Sequence, residues 1–213
     1  MIIIEPKTPD EITLIPLQQV FEEAVREELD IKNYNFQLDN AVDIILRSTT
    51  VNQCRFVKCH FISCAFDQLH LIDVVFENCD LSNIRFNECI FNRVSFKSCK
   101  LLGSTFIKCR FDNVSIKDSV GNYANFLLAD IHSSSFYNTN FAEVVFTESK
   151  FSKTILEKCC FERANFMHAD LKDIDFSDCN IDGAYFMLDK LKGITVSFEQ
   201  AVEFAKMTGL KVK

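Results

Sequence analysis

Ten cysteines and four histidines are the residues of this 213-residue chain that chemistry would use first. Nine of the thiols, Cys54, Cys59, Cys64, Cys79, Cys89, Cys99, Cys109, Cys159 and Cys179, are separated by multiples of five. Zinc sites pair thiols about two to four residues apart, so this spacing argues against a metal. It also argues against disulfides. Cysteines stacked in an in-register ladder keep their Cβ atoms about 4.8 Å apart, beyond the ~3.5–4.5 Å that a bridge prefers. The expectation is buried, reduced thiols acting as small apolar side chains. Cys160 breaks the spacing, falls on an outward position and is the candidate reactive thiol. His60, His70, His132 and His168 also fall on outward positions, and none forms a visible nucleophile–base pair. No phosphate loop, dinucleotide fingerprint or HExxH motif occurs, so neither an enzyme nor a cofactor is expected.

The spacing of five belongs to the whole chain. Every fifth residue from Phe36 to Leu191 makes 32 positions, of which 19 are Phe, seven Leu and three Ile. The other three are Ala41, Val51 and Gly121, and no insertion breaks the register. Two residues before 18 of these 32 positions stands a small side chain: the nine cysteines above, Ala124, Ala129, Ala164, Ala169 and Ala184, or Ser104, Ser119, Ser134 and Ser149. The remaining three positions are mostly polar. In an α-helix a period of five drifts about 140° per step, and in a straight strand it alternates faces. The pattern therefore needs a backbone that turns one corner per pentad, which is a solenoid.

The stretches "CDLSN" (79–83), "ANFMH" (164–168), "ADLKD" (169–173) and "CNIDG" (179–183) resemble the A(D/N)LXX unit of the pentapeptide-repeat family. The resemblance runs from about Cys54 to Leu191 and implies an all-β fold, a right-handed quadrilateral β-helix with four pentads per coil. The sequence at period 20 agrees. One column reads Phe66, Phe86, Phe106, Phe126, Phe146, Phe166, Phe186, and another Cys59, Cys79, Cys99, Ser119, Thr139, Cys159, Cys179. Thirty-two pentads make about eight coils, a rod of roughly 38 Å.

A solenoid needs caps over its unpaired ends. Residues 1–33 form the expected N-terminal cap, with a helix over about 16–29 marked by Leu17, Val20, Phe21, Ala24 and Val25. This segment holds 8 acidic and 3 basic residues, against a net charge of −7 for the chain. The repeat occupies 34–196, and 197–213 is the expected C-terminal module, all within one structural domain. There, Ser197-Phe198-Glu199-Gln200 is a capping box, and Phe198, Ala201, Val202 and Ala205 make an apolar stripe. Gly209 stops the helix, and a short strand is expected from Leu210 through Val212 to Lys213. Residues 193–213 are similar to the end of the bacterial quinolone-resistance (Qnr-like) pentapeptide proteins, where this module makes a symmetric dimer. Near that end Leu127, Leu128, Met167, Tyr185, Met187 and Leu188 are outward yet apolar. They mark either a homodimer contact or a surface covered by the chain's own terminal helix.

Function then rests with the surface. The quinolone-resistance resemblance implies a protein that mimics DNA in size and charge and binds DNA gyrase or topoisomerase IV. A dimer would be about 75 Å long, comparable with ~22 base pairs. One face carries Asp43, Asp80, Glu143, Glu162 and Asp182 against Lys100 and Arg163, and is the candidate acidic partner face. Another carries Arg93, Arg110, Lys150, Lys153, Lys172, Lys190 and Lys192 and is basic. The alternative is a protein-interaction scaffold with an unrelated partner. Direct nucleic-acid binding is not expected from a chain of net charge −7. No apolar run reaches the ~20 residues of a membrane span, and Met1–Pro6 is too short and too soon acidic for a signal peptide. The expected location is the cytoplasm.

Overall fold

The computed structural model describes residues 3–212 and shows a parallel β-solenoid. Each ladder pairs residue i with residue i+20, from Ile31↔Val51 through Phe91↔Phe111 to Asp175↔Thr195. Four pentads per turn follow directly. The faces can be named by their central residues: the first face by Phe61 and Leu81, the second by Phe66 and Phe86, the third by Leu71 and Phe91, the fourth by Phe76 and Phe96. Strands Thr50–Val57, His70–Glu77, Ile90–Lys97 and Arg110–Lys117 run across the third and fourth faces without a break. The first-face contacts reduce to single bridges from His60↔Asp80 onward and the second-face contacts from Thr105↔Asn125 onward, although the main-chain hydrogen bonds between coils continue.

What turns the corner is the residue two past each central one. Twenty-nine non-glycine residues at this position, counting the helix-end Glu28, have φ between 46° and 64°. Such a conformation costs an ordinary residue about 1–2 kcal/mol. Asn and Asp tolerate it better, and they hold Asn33, Asp43, Asp73, Asn78, Asn83, Asn113, Asp118, Asn138 and Asp173.

The small inward position does more than save space. Cys59 Sγ lies 3.6 Å from the Phe36 carbonyl oxygen, Cys79 Sγ 3.3 Å from that of Phe56, and Cys99 Sγ 3.3 Å from that of Phe76. Ser104 and Ser149 donate to Leu81 O and Phe126 O at 2.6 and 2.7 Å. Cysteine and serine share the register because each brings a compact donor to the corner carbonyl of the preceding coil, where an unmet acceptor is costly. Cys159 and Cys179 are buried in the same column, and all ten cysteines are free thiols. Burial pushes the Cys54 thiol up to about 11, so it is protonated at neutral pH.

Phenylalanine fills the bore. Ring centroids in the second-face column are 5.2 Å apart for Phe66–Phe86, 5.1 Å for Phe86–Phe106 and 4.7 Å for Phe106–Phe126. The stack continues at 4.9 Å for Phe126–Phe146, 5.3 Å for Phe146–Phe166 and 5.0 Å for Phe166–Phe186. Two gaps in the large-residue register are filled from elsewhere. A Cβ on Gly121 would lie 2.5 Å from the Phe141 ring, which occupies that space. Ala41 stands directly before Phe61 in the ladder, and Phe21 enters the bore at that end, 6.2–6.3 Å from the rings of Phe56, Phe61 and Phe66.

Phe21 arrives on helix α1, Leu17–Glu27, which buries Leu17, Val20, Phe21 and Ala24. Val25, expected on the apolar stripe, is instead exposed on the outer side. The first main-chain amide of α1, at Leu17, donates to Asp39 Oδ2 at 2.7 Å. Asp39 takes the position that Cys59 holds one coil later, and anchors the positive end of the helix there. At the other end, helix α2 spans Phe198–Met207 behind the expected capping box, and Gly209 follows with φ +87°. The expected strand does not form: Leu210 to Val212 have no ladder partner, and a strand of that length is not stable without one. Lys213 lies outside the described residues. No helix among the described residues is long and apolar enough to cross a membrane.

Candidate interaction surfaces

The C-terminal end is built from two anchors. In the capping box, Gln200 N donates to Ser197 Oγ at 3.3 Å and Ser197 N donates to Gln200 Oε1 at 2.8 Å. The same Gln200 turns its Nε2 to the carbonyls of Phe176 and Cys179, at 2.9 and 2.8 Å. One side chain thus caps the helix and the last coil together. Phe204 then meets Phe186 edge-on at 5.2 Å, closing the end of the aromatic stack.

These contacts use only one side of α2. Between the helix and the last coil remains a cleft of about 530 Å³ lined by Ile181, Phe186, Glu203, Phe204 and Met207 among others. The residues expected at the dimer contact face outward. Phe198 is 80% exposed, Leu210 63% and Tyr185 58%. Leu188 and Val212 are also exposed, as is Ala201, and Met187, Val202 and Ala205 are half-buried. The alternative cover by the chain's own helix is not what forms, since Tyr185, Leu188 and Leu128 stay open. Sequence reading placed the stripe on Phe198 and missed that Phe204 and Gln200 do the anchoring. The signal was available: both lie on the helix face opposite the stripe.

The five candidate acidic residues do lie on the first face, but they do not make a negative stripe. Asp80 Oδ2 meets Lys100 Nζ at 3.5 Å, and Arg163 sits between Glu143 at 3.2 Å and Glu162 at 3.4 Å. Asp43 and Asp182 alone among the five have no cation within 4.0 Å among the described residues. Elsewhere ion pairs again join stacked coils, as in Arg47–Asp67, Lys97–Glu77 and Lys108–Glu88. In-register stacking places opposite charges one coil apart, and the surface neutralises itself.

The basic residues divide along the rod. Arg93 is bound bidentately by Asp73, Nε to Oδ1 at 2.7 Å and Nη2 to Oδ2 at 2.8 Å. Arg110, Lys150, Lys153, Lys172, Lys190 and Lys192 have no carboxylate within 4.0 Å among the described residues. The ladder also aligns Asp112, His132 and Ser152 on the third face. His132 Nδ1 and Ser152 Oγ share a 2.8 Å hydrogen bond, but the Asp112 carboxylate accepts from Asn113 Nδ2 at 3.1 Å instead. The three therefore do not form a nucleophile–base–orienter relay. Among the described residues no three His, Cys, Asp or Glu side chains gather as a metal site.

Residues 49–126, 89–154 and 129–203 match the family model described as a pentapeptide repeat region. The chain belongs to the pentapeptide-repeat family. No curated protein matches it significantly. Among solved structures it is similar to HetL, a pentapeptide-repeat protein involved in heterocyst differentiation regulation in the cyanobacterium Nostoc sp. strain PCC 7120. That likeness has a TM-score of 0.50 at 13% identity and covers 86% of this chain and 98% of HetL; it is a likeness of fold. A trypsin-treated form of QnrB1, a plasmid-mediated fluoroquinolone resistance protein, aligns at 15% identity and TM-score 0.48, over 82% of this chain and 100% of that one.

Proposed function

We propose that the protein is a non-enzymatic interaction scaffold whose docking end is the C-terminal one, where two copies pair through residues 197–212 and the adjoining last coil. The observation that carries this reading is the contrast in α2. It is held by Gln200 and Phe204, while Phe198, Leu210, Tyr185 and Leu188 are left in water. Apolar side chains gathered at one end of a rod favour burial against a partner. Pairing end to end would give a rod of about 75 Å.

The partner we propose to test first is a type II topoisomerase, with the paired rod standing in for about 22 base pairs of DNA. This rests on the similarity of residues 193–213 to the quinolone-resistance subfamily and on rod length. The neutralised acidic face argues for shape rather than charge as the basis of such mimicry. The test is a gyrase supercoiling assay titrated with the protein, with and without a fluoroquinolone. Inhibition or drug rescue that disappears in Val202→Asp supports the reading. A well-folded dimer without effect on gyrase or topoisomerase IV removes the topoisomerase and leaves the scaffold with another partner.

A further inference from the structure

Residues 3–13, ahead of α1, do not cap the solenoid. They run along its outside, at the corner between the third and fourth faces, across several coils. Ile4 N donates to Asn113 Oδ1 at 3.4 Å, and Lys7 N donates to Asp73 Oδ1 at 3.2 Å. Asn35 Nδ2 donates to the carbonyls of Pro9 and Asp10 at 3.3 and 3.0 Å. Thr13 and Asn35 close the arrangement with two reciprocal bonds of 2.8 Å.

These contacts share one arithmetic. The strap residues Ile4, Lys7 and Asp10 are three apart, while Asn113 and Asp73 are 40 residues, two coils, apart in one column, and Asn35 lies 38 residues before Asp73, two positions past Asn33 of that column. Two coils rise about 9.6 Å. Three residues of polyproline II helix rise about 9.3 Å and complete one turn, so every third residue faces the same way. Pro6 and Pro9 hold the strap extended and each precedes a residue that makes an anchoring contact. The strap and the solenoid are commensurate.

The corner is shaped for this occupant. Asn35 and Asp73 are buried although their positions in the pentad point outward, and Ile72 and Val75 beside them are half-buried. Arg93 fixes the Asp73 carboxylate from the coil between Asp73 and Asn113, and its Nη1 donates to Asn92 Oδ1 at 2.6 Å. At the two-coil interval the column continues from Asn113 to Lys153, which offers no acceptor. Sliding the strap by one residue would turn the Ile4 and Lys7 N–H groups away from Asn113 and Asp73. The hold also weakens outward, from the paired 2.8 Å bonds at Thr13 to a single exposed 3.4 Å bond at Ile4.

We propose that this corner is a peptide-binding groove that reads an extended, proline-punctuated polypeptide at three residues per two coils, and that residues 3–13 are its occupant in cis. A partner segment of the same register enters by peeling the strap from its Ile4 tip. Cis occupancy lowers the apparent affinity for that segment by the fraction of time the groove is free. The proposal is independent of the topoisomerase reading and of pairing at the C-terminal end.

Amide hydrogen exchange on the full chain tests the register. In the wild type the Lys7 amide exchanges at least tenfold more slowly than the exposed Glu5 amide. Inserting one Ala between Thr8 and Pro9 abolishes that protection. Inserting three residues restores it, because Lys7 then faces Asn113. Protection that ignores insertion length, or is lost with both insertions, overturns the register. The groove is tested with a labelled synthetic peptide of residues 3–14. Lys7→Pro in the full chain deletes one anchoring N–H while keeping the strap extended. It should raise affinity for the peptide at least tenfold over wild type, and a peptide carrying the same Pro should not bind. Equal binding by wild type and variant, with the solenoid folded in both, overturns the groove.

Discussion

The two ends of the rod solve the same problem in opposite ways. At the N-terminal end, α1 sends four apolar side chains inward, Phe21 enters the bore beside Ala41, and Asp39 caps the helix from within the first coil. Long strands, a strap and most of the coil-to-coil ion pairs follow over residues 31–117. At the C-terminal end, α2 buries no residue completely, leaves a cleft behind it and turns Phe198 to solvent. The solenoid between them keeps one register throughout. The lesson is that the repeat makes the rod, and the caps decide which end is closed over and which keeps apolar side chains exposed.

The largest expected effect breaks the finished end. Phe21→Ala should cost about 3–5 kcal/mol, because the vacated volume lies in an aromatic bore that does not collapse. Urea unfolding would show it, and exchange protection should fall first in the coils nearest α1. Next comes Gln200→Ala, which strands the Phe176 and Cys179 carbonyls and should cost about 1–3 kcal/mol. Its exchange signature should stay within the last coil and α2. A uniform loss of protection across the chain would mean that the open end is as integral as the closed one.

Between them, Gly121→Ala asks whether the interior is as tight in the later coils, where strands give way to bridges. The added methyl meets the Phe141 ring, and about 1–3 kcal/mol should be lost in the same unfolding measurement. A neutral result would show that the later coils yield where the earlier ones would not.

How much of this was legible in the sequence follows from what each feature is made of. The coil register was legible because it is written in side chains that repeat, and the aromatic column from Phe66 to Phe186 stacks as the period-20 reading requires. Cysteine's size was read correctly, but its role as a donor to the corner carbonyl was not, because that carbonyl comes from a residue 23 positions earlier. The plug by Phe21 depends on a vacancy at Ala41 that means nothing until the coil is built. The strap was invisible for a different reason: its anchors are main-chain amides and carbonyls, which leave no trace in composition beyond Pro6 and Pro9. The expected strand after Gly209 was read from the residues there, which do not supply the neighbour a strand needs. Of the candidate acidic face, the position and the opposing Lys100 and Arg163 were both legible, but not that Lys100 pairs with Asp80 and Arg163 with Glu143 across one coil.

The smallest predicted effect concerns the strap that covers the closed half. Arg93 holds the Asp73 carboxyl below the usual carboxylate value. The stability this contributes is whole above the ordinary pKa of about 3.9 and is lost as pH falls through the lowered value, while Arg93 stays charged. Protection of the Lys7 amide should therefore be level from neutral pH down to about 4 and fall below it. In Asp73→Asn that acid step should disappear.

The most direct test of an open end is the mass of the assembly in solution. Sedimentation equilibrium of the wild type and of Phe198→Asp, across a hundredfold range of concentration, measures it without reference to any partner. The account predicts a wild-type dimer and a Phe198→Asp monomer of unchanged unfolding midpoint, because that side chain is 80% exposed in the single chain. A wild type that remains monomeric throughout, or a variant that still pairs, would contradict it.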